Sequence, residues 1–184
     1  MTANCVPLLI QQNVYGSNFF NRSWAEFKVG FNDTLGNYWL GNDLLSQLTL
    51  SRRYKLRFDL QARDNFTWFY AEYSSFVVRE ESHNYELHVS GYSGNAAGDA
   101  LHYQNGAMFT TSDRDNDEWT RDNDPWSSST SGSTNKYNCA LRNGGGFWYK
   151  KCSNSDVNTV RDRGNNFRWR STLLLQSTRM WLMC

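Results

Sequence analysis

The chain lacks the features that mark binding to polyanions or to membranes. It has no runs of Lys or Arg, and its formal net charge is only +1, with a pI near 7.7. Electrostatic binding to nucleic acid or to anionic lipid needs a basic surface, so neither partner is expected. No apolar run approaches the ~20 residues that span a bilayer, and the apolar segment at 6–10 is too short for a signal peptide. We expect a soluble chain without membrane insertion, in mature or trimmed form.

Catalytic patterns are also missing. His83, His88 and His102 are the only histidines, and no Ser or Cys nucleophile stands at a useful spacing from them. No pair of carboxylates outside one acidic segment indicates acid–base chemistry. The sequence therefore predicts a protein that is not an enzyme. It also shows no collagen-like or coiled-coil segment, so a homo-oligomer would have to assemble through another kind of interface.

Cysteine is scarce, with four residues at positions 5, 139, 152 and 184. None forms a CxxC motif, and the glycine-rich stretch between Cys139 and Cys152 has no nearby His, which argues against zinc. Disulfides are the better interpretation, and they imply an oxidising compartment. The sequons at Asn21, Asn32 and Asn65 are compatible with secretion.

What is present indicates one domain with an aromatic core. The 184 residues are enough to bury a sizeable core, and 16% of them are aromatic, including eight Trp. Ser23 and Glu26 have the spacing of a capping box for a short helix that Gly30 would end. Asn42 is predicted to cap a second short helix, which Arg52 and Arg53 would follow in a loop.

The hydrophobic period then changes to two. Alternation over 54–60 predicts a half-buried strand, and 82–84 forms a plausible hairpin turn within a meander of further strands at 66–73, 76–79 and 85–89. From about Leu101 to Phe167 the chain reads as loops rich in Gly, Asn, Asp and Ser. Residues 172–182 are apolar again, so the chain is predicted to return to the sheet at its end.

The most acidic segment, 110–124, holds six carboxylates in fifteen residues. Asp113, Asp115 and Asp117 match loop positions 1, 3 and 5 of an EF-hand, but Glu118 stands where the sharp turn needs Gly. No amphipathic helix flanks the segment, so an EF-hand is rejected. A hard cation and a solvated acidic loop remain as alternatives.

Several motifs in register resemble one family across nearly the whole chain. They are LLIQQ (8–12), WAEFKVGF (24–31), YWLGN (38–42), SGNAAGDAL (93–101), MFTTSDRDND (108–117), NCA (138–140), GGFWYKKC (145–152) and STRMWL (177–182). This resembles the fibrinogen-related domain, the C-terminal globular module of fibrinogen, ficolins, tachylectins and angiopoietins. The resemblance implies an α+β fold with a twisted antiparallel sheet, short helices and a loop-rich part that carries calcium and ligand sites.

The resemblance also implies a division of the single domain. Residues 1–105 and 172–184 would form the central sheet, and 106–171 the loop-rich part. Family members usually have an N-terminal subdomain with its own disulfide ahead of the stretch that matches 8–12. We expect most of that subdomain to be absent here.

Calcium is the cofactor that the resemblance implies. Side-chain oxygens would come from Asp115 and Asp117, carbonyl oxygens from Trp119 and Arg121, and Asp113 would shape the turn. Calcium accepts 6 to 8 oxygen ligands in flexible geometry, so this set suits it. The 21 residues at 118–138 are an insertion relative to the family. Such an insertion would either displace the Arg121 carbonyl or offer Asp122 or Asp124 as a ligand instead.

The resemblance places a ligand pocket beside a disulfide between Cys139 and Cys152. In ficolin-like lectins an acetyl group sits there against aromatic rings and a His, with a cis peptide that would here be Lys151–Cys152. The expected pocket side chains are replaced by Asn143, Ser153 and, next to Gly164, by Arg163. A polar trio does not supply the apolar wall that an acetyl methyl group needs.

Two questions stay open at this stage. Cys5 and Cys184 flank strands that belong to the central sheet, and an intrachain disulfide, an interchain disulfide and free thiols are all compatible with the sequence. The predicted function is a secreted calcium-binding recognition module, a lectin of innate-immune type for acetylated or other glycans. The alternative is a module that binds a protein receptor or serves assembly, as in angiopoietins or fibrinogen.

Overall fold

The computed structural model describes residues 6–16, 18–120, 137–159 and 167–184. In these ranges the longer elements alternate with two-residue strands and short helices. Their bounds are β1 Leu8–Val14, α1 Trp24–Val29, β2 Phe31–Asn32, β3 Tyr38–Trp39, α2 Asn42–Ser51, β4 Tyr54–Ala62, β5 Trp68–Val78, β6 Leu87–Gly94, α3 Leu101–Gln104, β7 Phe109–Thr110, α4 Cys139–Asn143, β8 Phe147–Trp148, β9 Ser155–Asp156, β10 Arg168–Trp169 and β11 Leu173–Met183.

Helix α1 begins and ends as its sequence predicts. The Ser23 side chain accepts from the backbone of Glu26, and the Glu26 side chain accepts from the backbone of Ser23, which completes the capping box. Gly30 follows with φ +92°, and a Cβ there would lie 2.6 Å from the Leu40 carbonyl oxygen. Only glycine fits this close approach of two backbone segments.

The predicted cap of helix α2 is wrong by one residue. Gly41, with φ 106° and no side-chain cap bond, holds the N-cap position, and Asn42 is already helical. The Asn42 side-chain oxygen accepts instead from the indole N–H of Trp39 at 3.1 Å. A buried contact with a neighbouring strand therefore uses the oxygen that would otherwise cap the helix.

The sheet is antiparallel, and its order is β2-β3-β1-β11-β4-β5-β6, with β10 pairing to β11 and β9 to β10. The last strand, β11, lies between β1 and β4, as the apolar tail predicted. A 3-10 turn at Glu81–His83 and the left-handed Asn84 connect β5 to β6, so the predicted hairpin is confirmed. This is the predicted α+β architecture.

Aromatic side chains form the junction between the sheet and the loops. Trp148 is 1% exposed; its ring lies 5.3 Å from that of Phe109 and 6.1 Å from that of Trp39. Phe167 and Trp169 are fully buried. These side chains pack beneath the loops.

In the described ranges, no helix combines the length and the apolar character needed to cross a membrane.

Candidate metal and ligand site

The acidic loop begins with a tight turn that Asp113 holds in place. The backbones of Thr111 and Arg114 are bonded to each other in both directions, at 3.0 and 3.2 Å. The Asp113 Oδ1 accepts from the Thr111 hydroxyl at 2.7 Å and from the backbone N–H of Trp24 at 2.9 Å. The turn is thereby tied to the first residue of helix α1.

The next two acids differ sharply in environment. Asp115 is exposed, and its Oδ1 accepts from the backbone N–H of Asp117 at 3.3 Å. Asp117 accepts from the N–H of Trp119 at 2.8 Å and, through Oδ2, from the N–H of Cys139 at 2.7 Å. Burial raises the pKa of Asp117 to about 7, and the neighbouring charge of Asp115 adds to the increase.

Asp115 and Asp117 fit a calcium ion by the chemistry of their donor atoms. Two adjacent carboxylates repel each other, and each oxygen of Asp117 retains a lone pair beyond its bond to an N–H. The Trp119 ring packs edge-on against Tyr137 at 5.5 Å, so the residue whose carbonyl is predicted to bind is anchored. Arg121, Asp122 and Asp124 lie outside the described residues. Within them, no three or more His, Cys, Asp and Glu side chains are grouped so that they could hold a metal ion, and a set completed by carbonyls and water does not require this.

The disulfide between Cys139 and Cys152 is present, with Cα atoms 5.2 Å apart. The Lys151–Cys152 peptide is not cis, contrary to the prediction, and none of the described residues has a cis bond. Cys152 instead adopts φ +57°, and its carbonyl accepts from the Lys150 N–H at 3.0 Å. The turn is therefore closed by the backbone hydrogen bond between Lys150 and Cys152 and by the left-handed conformation of Cys152. Cys5 lies outside the described residues, so its pairing with Cys184 stays a prediction.

Two of the predicted ligand residues converge on an acid that sequence reasoning missed. Asn143 is buried, and its Nδ2 donates to Asp156 Oδ1 at 3.1 Å. The Ser153 hydroxyl donates to the same oxygen at 2.5 Å. Asp156 is 2% exposed, and burial raises its pKa to about 6. The sequence around it, a single Asp among Ser and Asn, carries no signal that distinguishes it.

The exposed surface beside the disulfide, which we call the ligand rim, also contains a missed residue. Lys151 is exposed, and its backbone N–H donates to the hydroxyl of Tyr103 at 3.2 Å. Tyr103 is 38% exposed and lies on α3, 48 residues away in sequence, so spacing alone does not associate the two. Arg163 and Gly164 lie outside the described residues.

The buried Asp156 leads to a prediction about pH. Because its pKa is raised in the folded state from 3.8 to about 6, stability that is present at low pH is lost as the pH rises through 6. Asp156→Asn keeps the accepting oxygen but does not titrate. The free energy of unfolding of the wild type, minus that of Asp156→Asn, should fall by roughly 2–3 kcal/mol between pH 4 and 7. Urea unfolding at several pH values measures it, and a flat difference would contradict the raised pKa.

Comparisons with known proteins agree on one family. The family described as "Fibrinogen beta and gamma chains, C-terminal globular domain" matches residues 2–181. Microfibril-associated glycoprotein 4 of Bos taurus is 36% identical over 155 residues, which cover 82% of this chain and 54% of that protein. Techylectin-5A of Tachypleus tridentatus is 36% identical over 150 residues, covering 82% of this chain and 45% of that protein.

Solved structures show the same fold. The fibrinogen-like globe domain of human ANGPTL2 superposes with a TM-score of 0.75 at 33% identity, over 96% of this chain and 79% of that one. A lamprey fibrin D-dimer in complex with the peptide Gly-His-Arg-Pro-amide gives 0.72 at 28% identity, over 95% of this chain and 60% of that one.

The chain spans about half the length of these two curated relatives. Members of the matched family are non-enzymatic recognition or structural modules. This chain belongs to the family of fibrinogen C-terminal globular domains.

Proposed function

We propose that this chain is an extracellular calcium-binding module that recognises glycans, acetylated glycans among them, as an innate-immune lectin. Calcium would sit between Asp115 and Asp117, with the Trp119 carbonyl and, outside the described residues, that of Arg121. The disulfide supports an oxidising, extracellular location.

The observation that carries the proposal is the physical link between the acidic loop and the disulfide-closed turn. Asp117 accepts from the N–H of Cys139 at 2.7 Å, and the N–H of Glu118 donates to the Lys150 carbonyl at 3.0 Å. An ion bound to Asp117 would therefore fix both ends of the turn that presents Lys151 and Ser153. Calcium would act as the support of the ligand rim, and ligand binding would depend on it.

The rim offers groups that suit a saccharide. The Tyr103 ring is partly exposed and can pack against an apolar sugar face or an acetyl methyl group. The exposed Lys151 lies beside it, since its backbone N–H donates to the Tyr103 hydroxyl, and would offer its ammonium as a polar partner. Tyr103 thus supplies an aromatic wall that Asn143 does not.

A second function is favoured by one observation. Asn143 and Asp156 bond to each other below the surface and are 3% and 2% exposed, so neither side chain is free to contact a ligand. A pocket filled in this way suits a shallow contact with a protein better than insertion of an acetyl group. The alternative is therefore a module that binds a protein receptor or serves assembly.

Replacing Tyr103 distinguishes glycan binding from protein binding. We expect Tyr103→Ala to weaken calcium-dependent glycan binding about 3- to 10-fold, since an aromatic contact contributes roughly 0.5–1.5 kcal/mol. The measurement is a glycan array with calcium and with chelator, followed by titration of the best ligand. Phe66→Ala, which removes a 60% exposed ring from the β4–β5 turn, is the matched control. An array with no calcium-dependent ligand would favour the protein-binding function instead.

A further inference from the structure

A second groove lies away from the acidic loop, where helix α2 ends beside strands β4 and β5. It encloses about 570 Å³ and shares no residue with the acidic loop or with the ligand rim. Its lining includes Arg52, Arg53, Tyr54, Ser74 and Ser75, and none of the described residues that line it is Asp or Glu. On a chain of net charge +1 this is a local concentration of positive charge.

The cations of the groove are available to a ligand. Arg52 and Arg53 are both exposed, and among the described ion pairs neither meets a carboxylate. One Nη of Arg52 donates to the sulfur of Cys184 at 3.5 Å, and the other N–H groups of this guanidinium remain for a ligand. The Arg52 guanidinium lies 5.5 Å from the centre of the Tyr54 ring, which restricts its orientation. Two guanidinium groups on consecutive residues can donate several parallel hydrogen bonds to one tetrahedral anion.

The opposite wall presents hydroxyl groups because of a bulge. Tyr54 pairs with Phe76 whereas Leu56 pairs with Tyr73, so β5 carries an extra residue at this point. The bulge leaves two consecutive side chains, Ser74 and Ser75, exposed, where a regular strand would bury one of them. β-Bulges that re-aim a side chain in this way often occur next to functional sites.

We propose that this groove binds the sulfate groups of a sulfated saccharide. The guanidinium groups pair with the ester sulfate, and the two serine hydroxyls bond to ring hydroxyls and sulfate oxygens. Leu50, which is 49% exposed at the rim, covers an apolar sugar face. The site is independent of calcium, so it adds a second contact to whatever the loop site recognises.

Other anionic partners fit this groove less well. Membrane recognition by charge uses clusters of 4–8 basic residues, and the described lining of this groove contains two. Nucleic acid binding needs many phosphate contacts along an extended basic surface, which a net charge of +1 does not provide. A sulfate group on a hydroxyl-rich saccharide matches both the arginine wall and the serine wall of the groove.

The test is binding of a defined heparin hexasaccharide, measured by titration calorimetry at low and at physiological salt, in chelator. We expect Arg53→Gln to weaken binding about tenfold or more, because it removes a charge-assisted hydrogen bond. Arg53→Lys should recover only part of the affinity, since an ammonium lacks the planar fork. Arg170→Gln removes one exposed positive charge outside the groove and is the matched control; it should bind as the wild type does.

Several results would overturn the proposal. Equal losses in Arg53→Gln and Arg170→Gln would show attraction by net charge alone. Equal binding of a desulfated hexasaccharide would show that sulfate is not recognised, and tighter binding of a phosphotyrosine peptide would assign the groove to a different partner. Melting curves show whether each variant is folded. Because the assay contains chelator, its outcome is separate from that of the calcium-dependent glycan site.

Discussion

Calcium is expected to raise the melting temperature of the wild type by about 5–10 °C, and Asp115→Ala is expected to abolish that response. A ligand that binds only the folded state at a hundredfold excess over its Kd adds about 2.7 kcal/mol to the free energy of unfolding. Each kcal/mol shifts the melting temperature of a domain of this size by about 2–4 °C. Asp115 is exposed and bonds only locally, so its removal should change calcium binding more than folding.

The measurement is thermal unfolding in calcium and in chelator, with calorimetric titration of calcium into both proteins. Asp64→Ala, which removes an exposed carboxylate from the β4–β5 turn, is the control for loss of one negative charge. It should keep the full response. Identical melting temperatures of the wild type in calcium and in chelator would remove calcium from the proposed function.

Removing the disulfide is expected to reduce both stability and calcium affinity. Closing a loop of this size contributes about 3 kcal/mol in the chain-entropy model. Replacing Cys139 and Cys152 together by Ser should therefore lower the free energy of unfolding by roughly that amount. Calcium affinity should also fall, because the Cys139 N–H that orients Asp117 is no longer held by the crosslink.

Urea unfolding and calcium titration of the double variant check both parts of this prediction. Leu141→Ala trims an exposed side chain from the same helix and leaves the crosslink intact, so it reports on α4 alone. A double variant that loses stability but binds calcium as the wild type does would show that the turn and the acidic loop are independent. The proposed role of calcium as a support for the ligand rim would then fail.

Local features of this fold were predictable from the sequence. The capping box of Ser23 and Glu26 and the alternation over 54–60 act between residues three or two apart, and the structure contains both. The helix that follows Gly41 was misassigned at its first residue because the indole of Trp39, three residues earlier, donates to the Asn42 side-chain oxygen. Both side chains are buried, and capping rules read from the sequence do not include this competition for the oxygen.

The sequence by itself also determined which segments are acidic, which cysteines flank a glycine-rich turn and which family the motifs resemble. Only the tertiary structure decided what those segments touch. Tyr103 meets Lys151 across 48 residues, Asp117 meets Cys139 across 22, and Arg52 and Arg53 face Ser74 and Ser75 through a bulge. The physical reason is that long-range contacts depend on the order of strands in the sheet and on which buried polar groups must pair with each other. Neither property produces a periodic pattern in the sequence.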